Sequence, residues 1–326
     1  MPNTYLKAAT IARATVGLLY RDLVVARTVW SDAVNPGEFT GALNDTVTMK
    51  VPARRTARKR TLRAGTAIVN DTSVEFGVPV QLTTDVYNGA PITDEELTLD
   101  ITDFAGQVLQ PQVRAVVEGV DTEIIDEIEG ASYGSMTIDP TAADFVVSGQ
   151  TDWYLAAVRA RRMLNDNHVP QAGRTLLIGN GVEEQILRSD RFVRADSYGD
   201  GAATALQEAT IGRIAGFDVV LSTEIADNAA YAYHRTAFVL ATRAPVVPRG
   251  ANFAQIQGAG GAAGGSDFYD GLSVRWLMDY DYTNTTDRSL VNTWVGTATV
   301  TEPDAPTDPA SAKSLKRAVK IIDPTP

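Results

Sequence analysis

The chain has 326 residues, of which 44% are apolar, so it is long enough to bury a large core in one or two domains. It contains no cysteine, which excludes a disulfide framework and thiolate metal sites, and we expect it to fold in a reducing cytoplasm. The formal net charge of −11 argues against a general nucleic-acid binder. No apolar run approaches the ~18 residues that would cross a membrane, so we expect no membrane partner.

Residues 11–30 are predicted to form an N-terminal helix. Apolar side chains recur there at helical spacing, and further apolar residues widen the face beyond one stripe. A helix this apolar needs cover on more than one side. We therefore expect Leu19, Leu23 and Trp30 to contact a neighbouring copy of the chain.

Two segments with alternating side chains predict a pair of strands. Residues 46–51 and 74–82 both alternate between apolar and polar, the pattern of a strand with one buried face. Pro79 places the second strand at a sheet edge. Because an isolated two-stranded ribbon is only marginally stable in water, this ribbon must lie on something. A neighbouring subunit is the economical candidate.

Between the two strands lies a basic segment that contains no acid. Its six cations are Arg54, Arg55, Arg58, Lys59, Arg60 and Arg63. The segment has three interpretations: a solvated loop, a patch that faces DNA, or a contact between subunits. We favour the contact between subunits, because the ribbon needs a partner and the acidic helix that follows supplies complementary charge. The acids expected to meet the basic segment are Glu95, Glu96, Asp100 and Asp103.

The clearest helix in the sequence is predicted over residues 94–129. Thr93 and Glu96 have the spacing of a capping box, and acids crowd the first turn, where the helix dipole favours them. Apolar residues then step by three or four positions to the end. Pro111 is expected to kink this helix rather than end it, since the pattern resumes beyond it. Such a helix is about 50 Å long at ~1.5 Å per residue, which suits a scaffold element.

From about residue 138 to residue 250, short strands and helices alternate, which predicts an α/β domain. Helices are expected near 153–164 and 182–187, with strands at 176–178, 217–221 and 237–241; the glycine-rich residues 258–265 are expected to form a flexible loop. A closing pair of strands is predicted at 273–281 and 288–300. The segment from Thr301 onward, rich in Pro, Asp and Ala, is predicted to be a tail.

No catalytic, cofactor or metal site is predicted. The two histidines, His168 and His234, are interpreted as surface or structural residues. Asp279, Asp281 and Asp287 lack the spacing and the glycine of a Ca²⁺ loop, so a turn with solvated acids is favoured. The sequence has no phosphate-binding loop, nucleophile elbow or zinc-binding helix motif.

The order of these elements resembles the Hong Kong 97-like capsid fold of tailed bacteriophages. Four stretches between about residues 13 and 300 carry the resemblance, in particular to coat proteins that use a separate scaffolding protein: ITDEELTLDITDFAGQVLQPQVRAVVEGVD, LLIGNGVEEQILRSDRFVRAD, IGRIAGFDVVLSTEI and AFVLATRAPVVPRGA. The resemblance implies an α+β fold with an N-arm, an extended β-hairpin E-loop, a P-domain with a long spine helix and an α/β A-domain. The implied segments are 1–43 (N-terminal arm), 44–90 (E-loop), 91–137 (P-domain spine helix), 138–270 (A-domain), 271–300 (returning P-domain strands) and 301–326 (C-terminal tail).

The function implied by this resemblance is that of a major capsid protein of the virion. Such a protein self-assembles in the host cytoplasm, first as a procapsid, into hexamers and pentamers of an icosahedral shell that encloses double-stranded DNA through non-specific contacts. The implied partners are further copies of the chain, a scaffolding protein, a portal protein and a possible decoration protein. No long charged helical segment precedes the arm, so a separate scaffold is expected.

Two rival functions stay open at this point. An encapsulin-type nanocompartment has the same fold and encloses an enzyme cargo, so the contents of the shell distinguish it from a capsid. A carboxylate-dependent hydrolase is the rival from another class. The hydrolase is disfavoured because the acids fall on one helix as a solvated or interfacial face.

Overall fold

A computed structural model gives the fold of the chain. It describes residues 24–31, 46–51, 57–63, 67–68, 76–96, 104–147, 150–189, 212–248, 253–258, 273–281, 283, 285–304 and 311–322. The strands, in chain order, are β1 (Thr46–Val51), β2 (Phe76–Gln81), β3 (Thr84–Thr93), β4 (Thr137–Ile138), β5 (Val146–Val147), β6 (Gln150–Thr151), β7 (Arg174–Ile178), β8 (Arg213–Ile214), β9 (Phe217–Leu221), β10 (Ala229–His234), β11 (Phe238–Arg243), β12 (Phe253–Gly258), β13 (Ser273–Asp281), β14 (Thr286–Thr299), β15 (Glu302–Pro303), β16 (Lys313–Ser314) and β17 (Ala318–Ile322). The α-helices are α1 (Gln110–Gly130), α2 (Trp153–Asp166) and α3 (Asn180–Arg188).

Strands β1 and β2 form the antiparallel ribbon that the alternating sequence predicts. Met49, Val78 and Val80 lie on its buried face, and they pack against residues of β11 and β14 and the residue that follows β14: Val239, Ala241, Ala298 and Val300. The strands are therefore covered by their own chain. The expectation that a neighbouring subunit provides this cover is wrong for the strands and stays a prediction for the loop between them.

A five-stranded sheet forms around β14, the longest strand. β14 pairs antiparallel with β3, β11 and β13, and β12 extends the sheet beyond β13. This confirms the predicted closing pair of strands. The ribbon meets the sheet at Gly296, where a Cβ atom would lie only 2.3 Å from the backbone oxygen of Gln81. Only glycine fits this approach without a shift of the backbone.

Helix α1 packs on the sheet through its predicted apolar stripe. Val113, Val116, Val120, Ile124 and Ile128 are all buried. The chain is helical on both sides of Pro111, which lies in the first turn of α1 directly after a π-helical segment at Ala105–Leu109. The prediction that this proline does not end the helix is confirmed, and the wider π turn lies where the proline interrupts the regular hydrogen bonds. α1 alone is about 31 Å long at ~1.5 Å per residue. Residues 97–103 of the predicted helix lie outside the described residues.

The six-stranded sheet has the order β4-β17-β10-β7-β9-β8. Helices α2 and α3 and strands β7 and β9 confirm the predicted α/β pattern. β7 is buried at all five positions, as expected for a strand between parallel β9 and antiparallel β10. The strand predicted at 237–241 exists as β11 but lies in the five-stranded sheet with β12.

The prediction of a tail from Thr301 onward is wrong for the described residues 301–304 and 311–322. β17 lies inside the six-stranded sheet, antiparallel to β10 and parallel to β4. Ala318, Val319 and Ile321 are buried there. The alternation of apolar residues in AVKII is short, and the flanking Pro, Asp and Lys residues conceal it in the sequence. The division of the chain into six segments otherwise stays a prediction.

The predicted N-terminal helix does not continue to residue 30. Ala26–Thr28 forms a single 3-10 turn, after which Val29 is extended. Val25, Ala26 and Val29 are buried in the core of their own chain, so this part of the arm is covered without a partner. Residues 1–23, with Leu19 and Leu23, lie outside the described residues.

Candidate assembly surfaces

The loop between β1 and β2 presents a dense group of cations. Arg58, Lys59, Arg60 and Arg63 are all exposed, and residues 57–63, here called the basic loop, contain no acid. Leu62 is 90% exposed in the same loop. Arg54 and Arg55 lie outside the described residues. The basic loop is therefore an exposed surface of concentrated positive charge.

The predicted acidic surface begins at a capping box that the structure confirms. The Thr93 amide donates to Glu96 Oε2 at 2.9 Å, and the Glu96 amide donates to Thr93 Oγ1 at 3.2 Å. Hydrogen bonds from the Thr93 amide and hydroxyl lower the pKa of Glu96, so this exposed carboxylate is ionised at neutral pH. Glu95 is exposed beside it. Asp100 and Asp103 lie outside the described residues.

A buried carboxylate on α1 holds the arm segment, defined here as residues 24–30. Asp121 accepts hydrogen bonds from the backbone amides of Val24 (2.8 Å), Val25 (3.4 Å) and Ala26 (2.8 Å). Burial raises the pKa of Asp121 more than these three amides lower it. In the sequence Asp121 is one acid among twelve in an acidic stretch, and nothing in the pattern distinguishes it from its solvated neighbours.

The arm segment also contacts both large sheets. The Thr28 hydroxyl is 2.5 Å from the Tyr233 hydroxyl on β10. Trp30 forms a parallel bridge with Val239 of β11, in which the Trp30 amide donates to the Phe238 oxygen at 3.1 Å. Trp30, predicted to contact another subunit, is thus half-buried against its own chain. Seven residues tie α1, the six-stranded sheet and the five-stranded sheet together.

The side chains considered for catalysis or metal binding have structural surroundings. His168 is exposed in a turn, with its Nδ1 atom 3.0 Å from the Asp166 oxygen. His234 is buried on β10, where its Nδ1 atom is 2.8 Å from the Thr236 hydroxyl, and burial together with nearby Arg317 lowers its pKa. Within the described ranges, no group of three or more His, Asp or Glu side chains is arranged to hold a metal ion. Among the helices in those ranges, none combines the length and apolarity needed to cross a membrane.

Comparisons with known proteins give similarity in structure but not in sequence. No protein-family model and no curated protein sequence matches the chain. A solved structure from Mycobacterium phage Che8 is similar with a TM-score of 0.60 at 16% identity, covering 92% of this chain and 90% of that one. The capsid structure of cyanophage P-SCSP1u has a TM-score of 0.56 at 12% identity, with 91% and 86% covered. The capsid asymmetric unit of cyanophage A-1(L) has a TM-score of 0.56 at 12% identity, with 92% of each chain covered.

These similarities extend over about nine-tenths of each chain. At such low identity they establish the fold. The chain has the Hong Kong 97-like capsid fold, in the α+β class that the sequence resemblance implies.

Proposed function

We propose that the chain is the major capsid protein of a tailed bacteriophage. The observation that carries this proposal is the similarity to phage capsid structures over about nine-tenths of both chains. Because fold alone does not fix function, the assembly surfaces provide the second line of support.

In this proposal the chain forms hexamers and pentamers of an icosahedral shell around double-stranded DNA, and it catalyses no reaction. It would be located in the virion capsid after assembly in the host cytoplasm. Its partners would be other copies of itself, a scaffolding protein, a portal protein and a decoration protein, and the DNA contacts would be non-specific. No cofactor takes part.

The proposed contact between subunits joins the basic loop to the acidic start of the spine helix. On the basic side it uses Arg54, Arg55, Arg58, Lys59, Arg60 and Arg63. On the acidic side it uses Glu95, Glu96, Asp100 and Asp103, and Leu19, Leu23 and Trp30 contribute from the N-terminal arm. Exposed ion pairs contribute only ~0–1 kcal/mol each, so this contact sets register and specificity more than affinity.

Electron microscopy of the purified chain tests the proposal. The chain is expressed alone and with a candidate scaffolding protein, and both samples are imaged by negative stain. Closed shells, tubes or spirals of uniform wall thickness are the expected result, whereas a monomer or small oligomer under both conditions contradicts it. The contents of closed shells then distinguish a capsid, which holds nucleic acid, from an encapsulin-type compartment, which holds a protein cargo.

Charge reversal in the basic loop tests the contact itself. Arg58→Glu with Arg60→Glu is expected to abolish closed shells while the circular dichroism spectrum of the subunit is unchanged, because like charges then face each other across the interface. Reversal of two exposed cations elsewhere, Arg213 and Lys313, is the matched control and should leave assembly intact. Normal shells from the loop variant would refute the contact. A hydrolase should keep its oligomeric state in both variants.

A further inference from the structure

An exposed apolar ridge lies on the outer side of α2 and on the hairpin that precedes this helix. Val146 and Val147 of β5 are 37% and 49% exposed, and Tyr154 and Val158 of α2 are 42% and 40% exposed. The opposite side of α2 is buried in the core through Ala156, Ala157, Ala160 and Leu164. Since Tyr154 and Val158 are four residues apart, they lie on one face of the helix.

Two arginines adjoin this apolar surface. Arg159 and Arg162 are exposed, and Arg162 lies 3.7 Å from Asp166 in an exposed pair one turn further along α2. Pairs of this kind contribute little, so Arg162 can exchange its partner at small cost. Tyr154, Val158, Arg159 and Arg162 together are here called the α2 ridge. It combines an apolar centre with two positive charges, the composition of a docking element.

A cavity of about 380 Å³ elsewhere on the chain has the complementary composition. It lies between the arm segment, α1 and the end of β9, and apolar side chains line it: Val24, Val117, Ile125 and Leu221. Val24 and Leu221 are 47% and 37% exposed at its mouth. Arg114, Glu118 and Glu224 also line it; Glu118 pairs with Arg114 at 3.3 Å in an exposed pair, and Glu224 accepts a hydrogen bond from Thr122. This cavity is here called the socket.

We propose that the α2 ridge of one subunit docks into the socket of the next copy of the chain. Val158 and Tyr154 would enter the cavity, and Arg159 and Arg162 would face Glu118 and Glu224. This inference rests on the proposed function, because it names one surface by which the subunits of a shell join.

The choice of a second copy as the occupant follows from complementarity within one chain. The apolar ridge matches the apolar cavity, and the two ridge arginines match Glu118 and Glu224. Glu118 would exchange its exposed partner Arg114 for a ridge arginine, which costs little because exposed pairs contribute only ~0–1 kcal/mol. Ridge and socket are different surfaces, so the contact is heterologous: each subunit gives its ridge to one neighbour and its socket to the other. Heterologous contacts close into rings when the rotation between subunits permits. A closed ring of six or five subunits is a hexamer or a pentamer.

Charge exchange tests the docking. Arg159→Glu with Arg162→Glu is expected to reduce the yield of closed shells at least about tenfold, and Glu118→Arg with Glu224→Arg is expected to do the same. A chain that carries all four substitutions restores attraction between ridge and socket and should recover shells. Reversal of Arg213 and Lys313 is the control for the altered net charge of the ridge variant. Wild-type yields from the ridge variant, or no recovery in the fourfold variant when all variants are folded, would overturn the docking.

Cross-linking provides a readout that does not depend on assembly yield. The chain has no cysteine, so Val158→Cys and Leu221→Cys each introduce a single thiol. When the two variants are co-expressed and their shells are oxidised, a disulfide between ridge and socket gives covalent dimers on a non-reducing gel. Shells of either variant alone should remain monomeric on that gel. Mixed shells without dimers would overturn the docking, whereas failure of the wild-type chain to form shells would instead count against the proposed function.

Discussion

Asp121 provides the sharpest test of how the arm segment is held. Replacing it with alanine removes the acceptor of three backbone amides and leaves the arm segment without its hydrogen bonds to α1, although its apolar side chains still pack there. The Ala26 amide is buried and loses a 2.8 Å hydrogen bond, and the Val25 amide is buried and loses a longer one of 3.4 Å. The Val24 amide lies in a residue that is half exposed, so water can replace its partner.

The expected loss of stability follows from these contacts. A buried amide left without a partner costs ~1–3 kcal/mol, so the two buried amides together cost about 2–6 kcal/mol. The lower part of that range applies, because the Val25 hydrogen bond is long and therefore weak. Removal of a buried ionised carboxylate offsets part of this loss, because the burial that raises the pKa of Asp121 also destabilises its charged form. We expect the free energy of unfolding of Asp121→Ala to fall by about 2 kcal/mol at neutral pH.

Two measurements on the unassembled subunit check this value. Urea unfolding gives the change in free energy, and hydrogen exchange should show amides 24–26 exchanging up to about 30-fold faster. Asp126→Ala is the matched control, since Asp126 is exposed on the same helix and should change stability by less than ~0.5 kcal/mol. A loss of stability below about 0.5 kcal/mol in Asp121→Ala, with unchanged hydrogen exchange, would refute the role of Asp121 in holding the arm segment.

Three further predictions concern the sheets. Burial and nearby Arg317 lower the pKa of His234, so the unfolded chain binds a proton more readily than the folded one. The folded state therefore loses stability as the pH falls from about 6.5 through the folded pKa. Over that pH range, the melting temperature of His234→Asn should fall less than that of the wild-type chain. Gly296→Ala places a Cβ 2.3 Å from a backbone oxygen at the end of β2 and should cost about 1–3 kcal/mol in urea unfolding, whereas Gly89→Ala, with 3.6 Å of clearance, should not. Val319→Asp places a charge at a buried position of β17 and should prevent the six-stranded sheet from packing. The expected result is a weak near-ultraviolet circular dichroism signal with no cooperative unfolding transition.

The elements that could be predicted are those whose sequence pattern is complete within one short segment. Alternation over residues 46–51 gave β1 with its bounds, and the Thr93–Glu96 spacing gave the capping box with both of its hydrogen bonds. Helix α1 was predictable because its apolar stripe, from Val113 to Ile128, repeats over about four turns. β17 was not, because five residues with a lysine at their centre carry too little periodicity. Its burial comes from β4 and β10, which are distant in sequence.

The candidate surfaces divide in the same way. The basic loop could be predicted because exposed cations are recognisable by charge density alone. Asp121 could not, since an acid within an acidic helix is normally solvated, and only the fold brings the arm segment to it. The covering of the ribbon by β11 and β14 was missed for a related reason. β14 contacts the ribbon and also pairs with β3, and the sequence pattern of one strand does not indicate which distant strands it pairs with.

The position of β17 has a consequence for how the chain folds as it is synthesised. Lys320 pairs with Thr137, and Thr286 pairs with Thr93. Each large sheet therefore contains a strand pair whose second strand is synthesised long after the first. Contacts this distant in sequence slow folding, because loop closure precedes any gain from pairing. Until residues 318–322 leave the ribosome, β4 and β10 have unpaired edges that attract other chains. We therefore expect nascent subunits to depend on chaperones, and the order of synthesis itself to delay assembly until each subunit is complete.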